Sequence, residues 1–167
     1  MGEENAEELR ARPMVLSDID EVLAIEQRSF PTPWSKKAFI SEITDNIFAS
    51  YMVVEKGDKI VGYGGMWVFL DEAHITNIAV APENRRAGIG EFILRNLIAT
   101  AVAGGAKRMT LEVRVSNHAA QRLYEKLGFE RKGLRKGYYS DTREDAIIMW
   151  KDDLAQEGAS GRASSGH

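Results

Sequence analysis

Residues 78–90 read Ile78-Ala79-Val80-Ala81-Pro82-Glu83-Asn84-Arg85-Arg86-Ala87-Gly88-Ile89-Gly90. The run opens as an apolar strand, crosses a polar loop containing Pro82, and closes on glycines where a helix begins. Ile89, Phe92, Ile93 and Leu97 share one stripe, which predicts a helix over 88–102 ended by Gly104-Gly105. A strand feeding a helix in this way is one step of a layered α/β fold. Amide N–H groups at a helix start have no intrahelical acceptor, and the helix dipole adds positive potential, so the loop suits a phosphate or pyrophosphate. Gly88 and Gly90 would let a ligand approach the backbone closely. The run is neither the G-x-x-x-x-G-K-[ST] phosphate loop nor the G-x-G-x-x-G dinucleotide turn, because Ile93 stands at the third glycine position. An ordinary helix start with packing glycines fits the same letters.

Upstream, Ser17-Asp18-Ile19-Asp20 resembles a helix start, with Ile19, Val22, Leu23 and Glu26 following at helical spacing. Pro31 and Pro33 end that helix near Ser29, and Ser35 caps a second one through Ala38, Phe39 and Ile43. Strands are predicted at 51–55 and 60–70, joined by a hairpin turn at Gly57-Asp58-Lys59, and at 73–80 after a turn at Asp71-Glu72. In this last strand Ile75 is odd while Ile78 and Val80 are even, which predicts a β-bulge near Thr76-Asn77. Downstream come a strand over 109–115, a helix from His118 to Leu127 stopped by Gly128 with Phe129 at its C-cap contact, and a strand over 146–150. An antiparallel meander followed by β-α-β-α-β predicts a mixed α/β (α+β) fold, a mostly antiparallel sheet layered with helices.

The chain has 167 residues, which suits one domain over 9–154. Residues 1–8 look loose, and the last thirteen, with nine Ala, Gly or Ser, are predicted to be a disordered tail over 155–167. A net charge of −3 supplies no global basic excess to grip nucleic acid or an anionic membrane. No cysteine is present, which removes disulfides, thiolate metal sites and a cysteine nucleophile. With three histidines, one of them the last residue, no metal site is expected. No stretch is long and apolar enough to span a bilayer, and the acidic start lacks the apolar segment of a secretory signal, so a cytoplasmic protein is expected.

Three side chains stand out as chemical candidates. Glu112, in Leu111-Glu112-Val113-Arg114-Val115-Ser116-Asn117, points away from the Leu/Val stripe and could be a general base or a solvated partner of Arg114. Asn117 is placed to cap the next helix. Tyr124, in Leu123-Tyr124-Glu125-Lys126-Leu127-Gly128-Phe129, is either a core tyrosine with a satisfied hydroxyl or a proton donor at the end of a cleft.

In order, NIAV (77–80), RRAGIG (85–90), LEVRVSN (111–117) and LYEKLGF (123–129) resemble the GNAT superfamily of acetyl-CoA-dependent N-acetyltransferases. With IEQRSFPTPWS (25–35) and GYYSDTREDAIIM (137–149) the chain is similar to the bacterial ribosomal-protein-alanine N-acetyltransferases from about Arg12 to Trp150, the late stretch being slightly shorter than usual. The resemblance implies a central sheet splayed at the acetyl-CoA site. It implies cofactor contacts from the backbone of Ile78, Ala79 and Val80, from the loop amides of Arg85, Arg86, Ala87, Gly88, Ile89, Gly90 and Glu91, and from Asn117. It implies Glu112 as general base, Tyr124 as general acid, no metal, and direct attack of the amine without a covalent enzyme intermediate. The implied acceptor is the N-terminal alanine of a small-subunit ribosomal protein, with a basic peptide received by acidic residues such as Glu26, Asp71, Glu72 and Asp141. A lysine side chain or small amine as acceptor, or a non-catalytic acyl-CoA-binding module, are the alternatives.

Overall fold

The computed structural model describes residues 8–154. The expectations of a loose start over 1–8 and a disordered tail over 155–167 fall, apart from Glu8, outside the described residues. Seven strands form the sheet: β1 (Leu9–Pro13), β2 (Ala49–Lys56), β3 (Lys59–Phe69), β4 (Glu72–Val80), β5 (Arg108–Arg114), β6 (Glu130–Arg135) and β7 (Ala146–Lys151). Their order is β1-β2-β3-β4-β5-β7-β6. The helices are α1 (Ile19–Ser29), α2 (Lys36–Asp45), α3 (Ile89–Ala103) and α4 (His118–Lys126). No helix of the described residues is long and apolar enough to cross a membrane. The mixed, mostly antiparallel α/β architecture read from the sequence is the architecture observed.

Residues Glu8–Trp67 pack with Thr76–Leu97 as one compact unit. Its apolar cluster joins Ile19, Val22 and Ile25 of α1, Phe39 of α2, and Tyr51, Val53 and Tyr63 of β2 and β3. Strand alternation puts Tyr63 in that cluster, while its neighbours Gly62 and Gly64 face α3. A Cβ on Gly64 would stand 2.7 Å from Ile93 and 3.1 Å from Leu97, so the missing side chain is what lets α3 lie close on the strand. Gly65, paired with Tyr51 in the β2–β3 register, leaves the space the Tyr51 ring fills.

Val68–Ile75 pack with Ile98–Leu154 as the second unit. Here the first three residues of β4 form the parallel ladder Glu72↔Arg108, Ala73↔Met109 and His74↔Thr110. β5 continues antiparallel to β7 from Met109↔Lys151 to Arg114↔Ala146. Met109, Leu111 and Val113 are buried, and Thr110, Glu112 and Arg114 form the half-buried face. α4 ends as the glycine position predicts. Gly128 adopts φ +98°, its N–H donates to the Glu125 carbonyl at 3.0 Å, and the Phe129 N–H donates to the Tyr124 carbonyl at 3.0 Å.

Burial alternates along β4, and the parity break in its apolar letters falls at Asn77, a buried polar residue. The Asn77 side-chain oxygen accepts from the Tyr51 hydroxyl at 3.2 Å and the Thr76 hydroxyl at 2.7 Å, which satisfies it there. The observed bulges lie at Val54/Glu55 and Arg131/Gly133. β1 and β6 carry too little alternation to be read from the sequence, and every residue of β6 is exposed.

Candidate active site

In the first unit, β4 runs to Val80 and a short 3-10 turn, Pro82–Asn84, leads to the loop before α3. Arg85 does not present its charge to the loop. Its Nε donates to the Val80 carbonyl at 3.1 Å and its terminal nitrogen to Ser29 Oγ at 3.1 Å. Arg28 pairs with Glu83 beside it. These contacts fasten the turn to the end of α1. Arg86 takes φ +66° and Gly88 φ +78°, both left-handed, which turns the chain sharply into the helix. A Cβ on Gly88 would meet nothing within 4 Å, so the backbone there faces open space. The bond from Phe92 N–H to the Gly88 carbonyl, 3.1 Å, opens the helix ladder, and the N–H groups of Ile89 and Gly90 precede it in the first turn, where a helix offers no backbone acceptor. Open backbone, ladder-free amides and the positive end of a 15-residue helix fit the pyrophosphate of acetyl-CoA. Ile78, Ala79 and Val80 lie beyond the last β4–β5 pair, His74↔Thr110, with Ala79 buried and Ile78 and Val80 half-buried.

In the second unit Glu112 and His74 form a pair. His74 Nε2 lies 2.9 Å from Glu112 Oε1, and the two side chains are 38% and 14% exposed. The contact follows from register: His74 opposes Thr110, and Glu112 is the next residue on that face of β5. Nothing in the spacing of residues 38 apart reveals it.

Tyr124 is half-buried on α4, its ring 6.0 Å from Phe129. Its hydroxyl has no hydrogen-bond partner among the described residues. Desolvation pushes the phenol up to about 12, so it keeps its proton at neutral pH. Asn117 caps α4 by accepting from the Ala120 N–H at 3.1 Å, a contact worth about 1 kcal/mol. That bond engages its side-chain oxygen and leaves the amide NH2 as the group able to donate to a ligand.

Gln121, buried on α4 and not anticipated, donates to the carbonyls of Arg114 at 2.9 Å and Val115 at 3.0 Å, tying the end of β5 to that helix.

Three of the four acidic residues expected to receive a peptide, Glu26, Glu72 and Asp141, have side-chain partners of their own. Glu26 is 2% exposed, accepting from the Tyr63 hydroxyl and from the Trp34 N–H at 2.8 Å. Burial raises its pKa against those two bonds, and a surface role is excluded. Glu72 pairs with Arg108, and Asp141 with Arg114 at 2.7 Å. Asp71 sits exposed in a turn, its carbonyl accepting the amide of Lys107 at 2.7 Å. Among the described residues no group of histidines, aspartates and glutamates could hold a metal ion.

Residues 19–129 match the acetyltransferase (GNAT) family. The chain is 48% identical over 139 residues, 83% of this chain and 92% of the relative, to a Bacillus subtilis protein provisionally named a ribosomal protein bS18-alanine N-acetyltransferase. It is 41% identical over 135 residues, 80% of this chain and 90% of the relative, to the ribosomal protein bS18-alanine N-acetyltransferase of Escherichia coli K12. The crystal structure of the ribosomal-protein-S18-alanine N-acetyltransferase from Escherichia coli superposes with a TM-score of 0.79 at 37% identity, covering 86% of this chain and 92% of that one. On sequence and on fold alike, the chain belongs to the acetyltransferase (GNAT) family.

Proposed function

We propose that the protein transfers the acetyl group of acetyl-CoA to the N-terminal α-amine of a protein, with the alanine-starting N terminus of ribosomal protein bS18 as its acceptor, in the cytoplasm where ribosomal proteins are made. The observation that carries the reading is the Glu112–His74 pair at 2.9 Å in the same unit as an unpartnered, protonated Tyr124 hydroxyl. The names of the relatives support the acceptor. Acetyl-CoA supplies an acetyl group activated as a thioester. The chain then has three tasks: remove a proton from the acceptor ammonium, hold the amine in line, and hydrogen-bond the departing sulfur. Glu112 takes the proton, with His74 fixing its carboxylate. Tyr124 donates to the sulfur of coenzyme A. The amine attacks directly, in keeping with a chain that has no cysteine to form an acyl-enzyme.

An α-amine with a pKa near 7.7–8.0 is roughly a quarter neutral at pH 7.4, whereas a lysine near 10.4 is neutral in about one part in a thousand. A single carboxylate is adequate help for the former. The test is a mass-spectrometric screen of peptides differing in their first residue. Acetylation at the α-amine of an alanine-starting peptide is the expected result; modification confined to lysine side chains or small amines would overturn the acceptor.

The pyrophosphate loop has its own test. Gly88→Val forces a β-branched residue into φ +78°, a region such residues avoid, and places its side chain where the phosphates approach. Acetyl-CoA affinity measured by calorimetry is expected to fall at least tenfold, about 1.4 kcal/mol. Unchanged affinity in a folded variant would remove the loop from the binding site.

A further inference from the structure

We infer that Arg114 is a positioning residue for the acceptor, holding the 136–145 loop against the β5 face that carries Glu112. The inference rests on Glu112 being the proton acceptor proposed above. Arg114 lies on the half-buried face of β5, the next residue after Glu112 on that face. Its guanidinium forks onto Asp141, NH1 to Oδ1 at 3.1 Å and NH2 to Oδ2 at 2.7 Å. NH1 also reaches Thr142 Oγ1 at 3.3 Å and Glu144 Oε1 at 3.4 Å. The plane covers the Tyr139 ring, 4.0 Å from its centroid. One side chain thus binds three polar residues and one ring of the same loop.

The loop is fastened a second time through Glu144, whose other oxygen accepts the Ser116 N–H at 2.8 Å. Within it Tyr139 N–H donates to the Glu144 carbonyl at 3.1 Å, Arg143 N–H to the Tyr139 carbonyl at 2.7 Å, and Gly137 N–H to Asp145 Oδ1 at 2.8 Å. Arg143 sits at φ +61°, a conformation the surrounding bonds must maintain. Tyr138 stacks edge-on against Tyr139, centroids 5.0 Å apart. Both phenols are raised, chiefly by burial, and the Glu112 charge raises them further, so both lie within its field. Arg114 covers Tyr139 and Arg135 lies 5.8 Å from the Tyr138 centroid, so the two rings are held in place as a wall of the loop rather than as a cation-binding face. Arg114 touches none of the reacting atoms. Its partly buried fork, with Arg114 22% and Asp141 13% exposed, is a geometry lysine cannot reproduce.

The experiment uses the full chain with Arg114→Lys, Asp141→Asn and both together. In steady-state assays on an alanine-starting peptide, Arg114→Lys is expected to raise the peptide KM at least tenfold. kcat and the acetyl-CoA KM should stay within threefold of wild type. The double variant should be little worse than either single one, as for two residues sharing one interaction. Hydrogen exchange read by mass spectrometry should quicken at least tenfold over the 136–145 loop and stay unchanged in β5 and β7. An unaltered peptide KM in folded Arg114→Lys would overturn the inference. So would a joint rise of both KM values with a lowered Tm, which marks a merely structural arginine. If the wild type acetylates no peptide, the proposed function fails, while unchanged loop exchange in Arg114→Lys would still overturn the role of Arg114 by itself.

Discussion

Glu112→Gln is expected to lower kcat/KM at neutral pH by ~10²–10⁴-fold, the range a general base supplies. Glutamine keeps the shape of the side chain and an oxygen that His74, 2.9 Å away, can still contact, so the β4–β5 junction should remain folded. What it loses is basicity. The deficit should therefore shrink as pH rises past the α-amine pKa near 8, where solvent delivers the neutral amine. If Glu112 instead held the ammonium by charge alone, the loss would sit in KM and persist at high pH. A pH–rate profile of both proteins from about pH 6 to 9.5 separates the two cases, and parallel curves with a constant offset would sink the base assignment. The loop beside Glu112 does not confound the window. Asp141 is held below its ordinary carboxylate range by the Arg114 hydrogen bonds, so that contribution is present at neutral pH and lost only as pH falls through the depressed value, far to the acid side.

Tyr124→Phe should slow the chemical step by ~10²-fold or more and leave acetyl-CoA affinity nearly intact. With the phenol raised to about 12 and an ordinary thiol near 8.5, complete proton transfer to the thiolate would cost roughly 5 kcal/mol. On the proposed mechanism Tyr124 would therefore serve as a hydrogen-bond donor to the developing sulfur anion, with the sulfur collecting its proton afterwards from water. The same raised pKa fixes the alkaline limb: Tyr124 stays protonated to beyond pH 10, so wild-type activity should not fall between pH 8 and 10 through its ionisation. Removing a hydroxyl that has no protein partner should leave Tm close to wild type. Single-turnover rates equal to wild type would return Tyr124 to a packing role.

The legible part of the fold was the part in which burial follows a period. α3, β5 and α4 declare themselves through Ile89/Phe92/Ile93/Leu97, Leu111/Val113 and the glycine stop at Gly128, because each buries one face only. β6 reads ERKGLR and is exposed throughout; backbone pairing with β7 makes it a strand, and no side-chain pattern reports that. β4 misled for the opposite reason. Asn77 occupies a buried position, satisfied by the adjacent Thr76 and by Tyr51 from β2, so the apolar letters changed parity while burial kept alternating. The site divides along the same line. Glu112, Tyr124 and Asn117 lie on regular elements whose faces could be assigned, whereas His74, Arg114 and Tyr139 matter through register and loop closure. Glu26 carried its signal in plain view: it falls on the stripe of Ile19 and Val22, and that stripe is core.

The glycines of β3 constrain how this protein can change over time. Strand propensity favours branched residues at such positions, and replacing glycine is a common route to a sturdier strand. Here the first methyl at Gly64 would press on Ile93 at 2.7 Å, and at Gly65 it would enter the Tyr51 ring. At Gly62 it would stand 3.0 Å from the Ala79 carbonyl oxygen, a tight contact that the β4 backbone would have to relieve by a few tenths of an ångström. The mutational path is therefore uneven. Positions 64 and 65 open to paired substitutions that first shrink Ile93 or Tyr51, whereas position 62 needs a shift of neighbouring backbone. A lineage selected for heat resistance would find its single-step gains more readily elsewhere than at these three glycines.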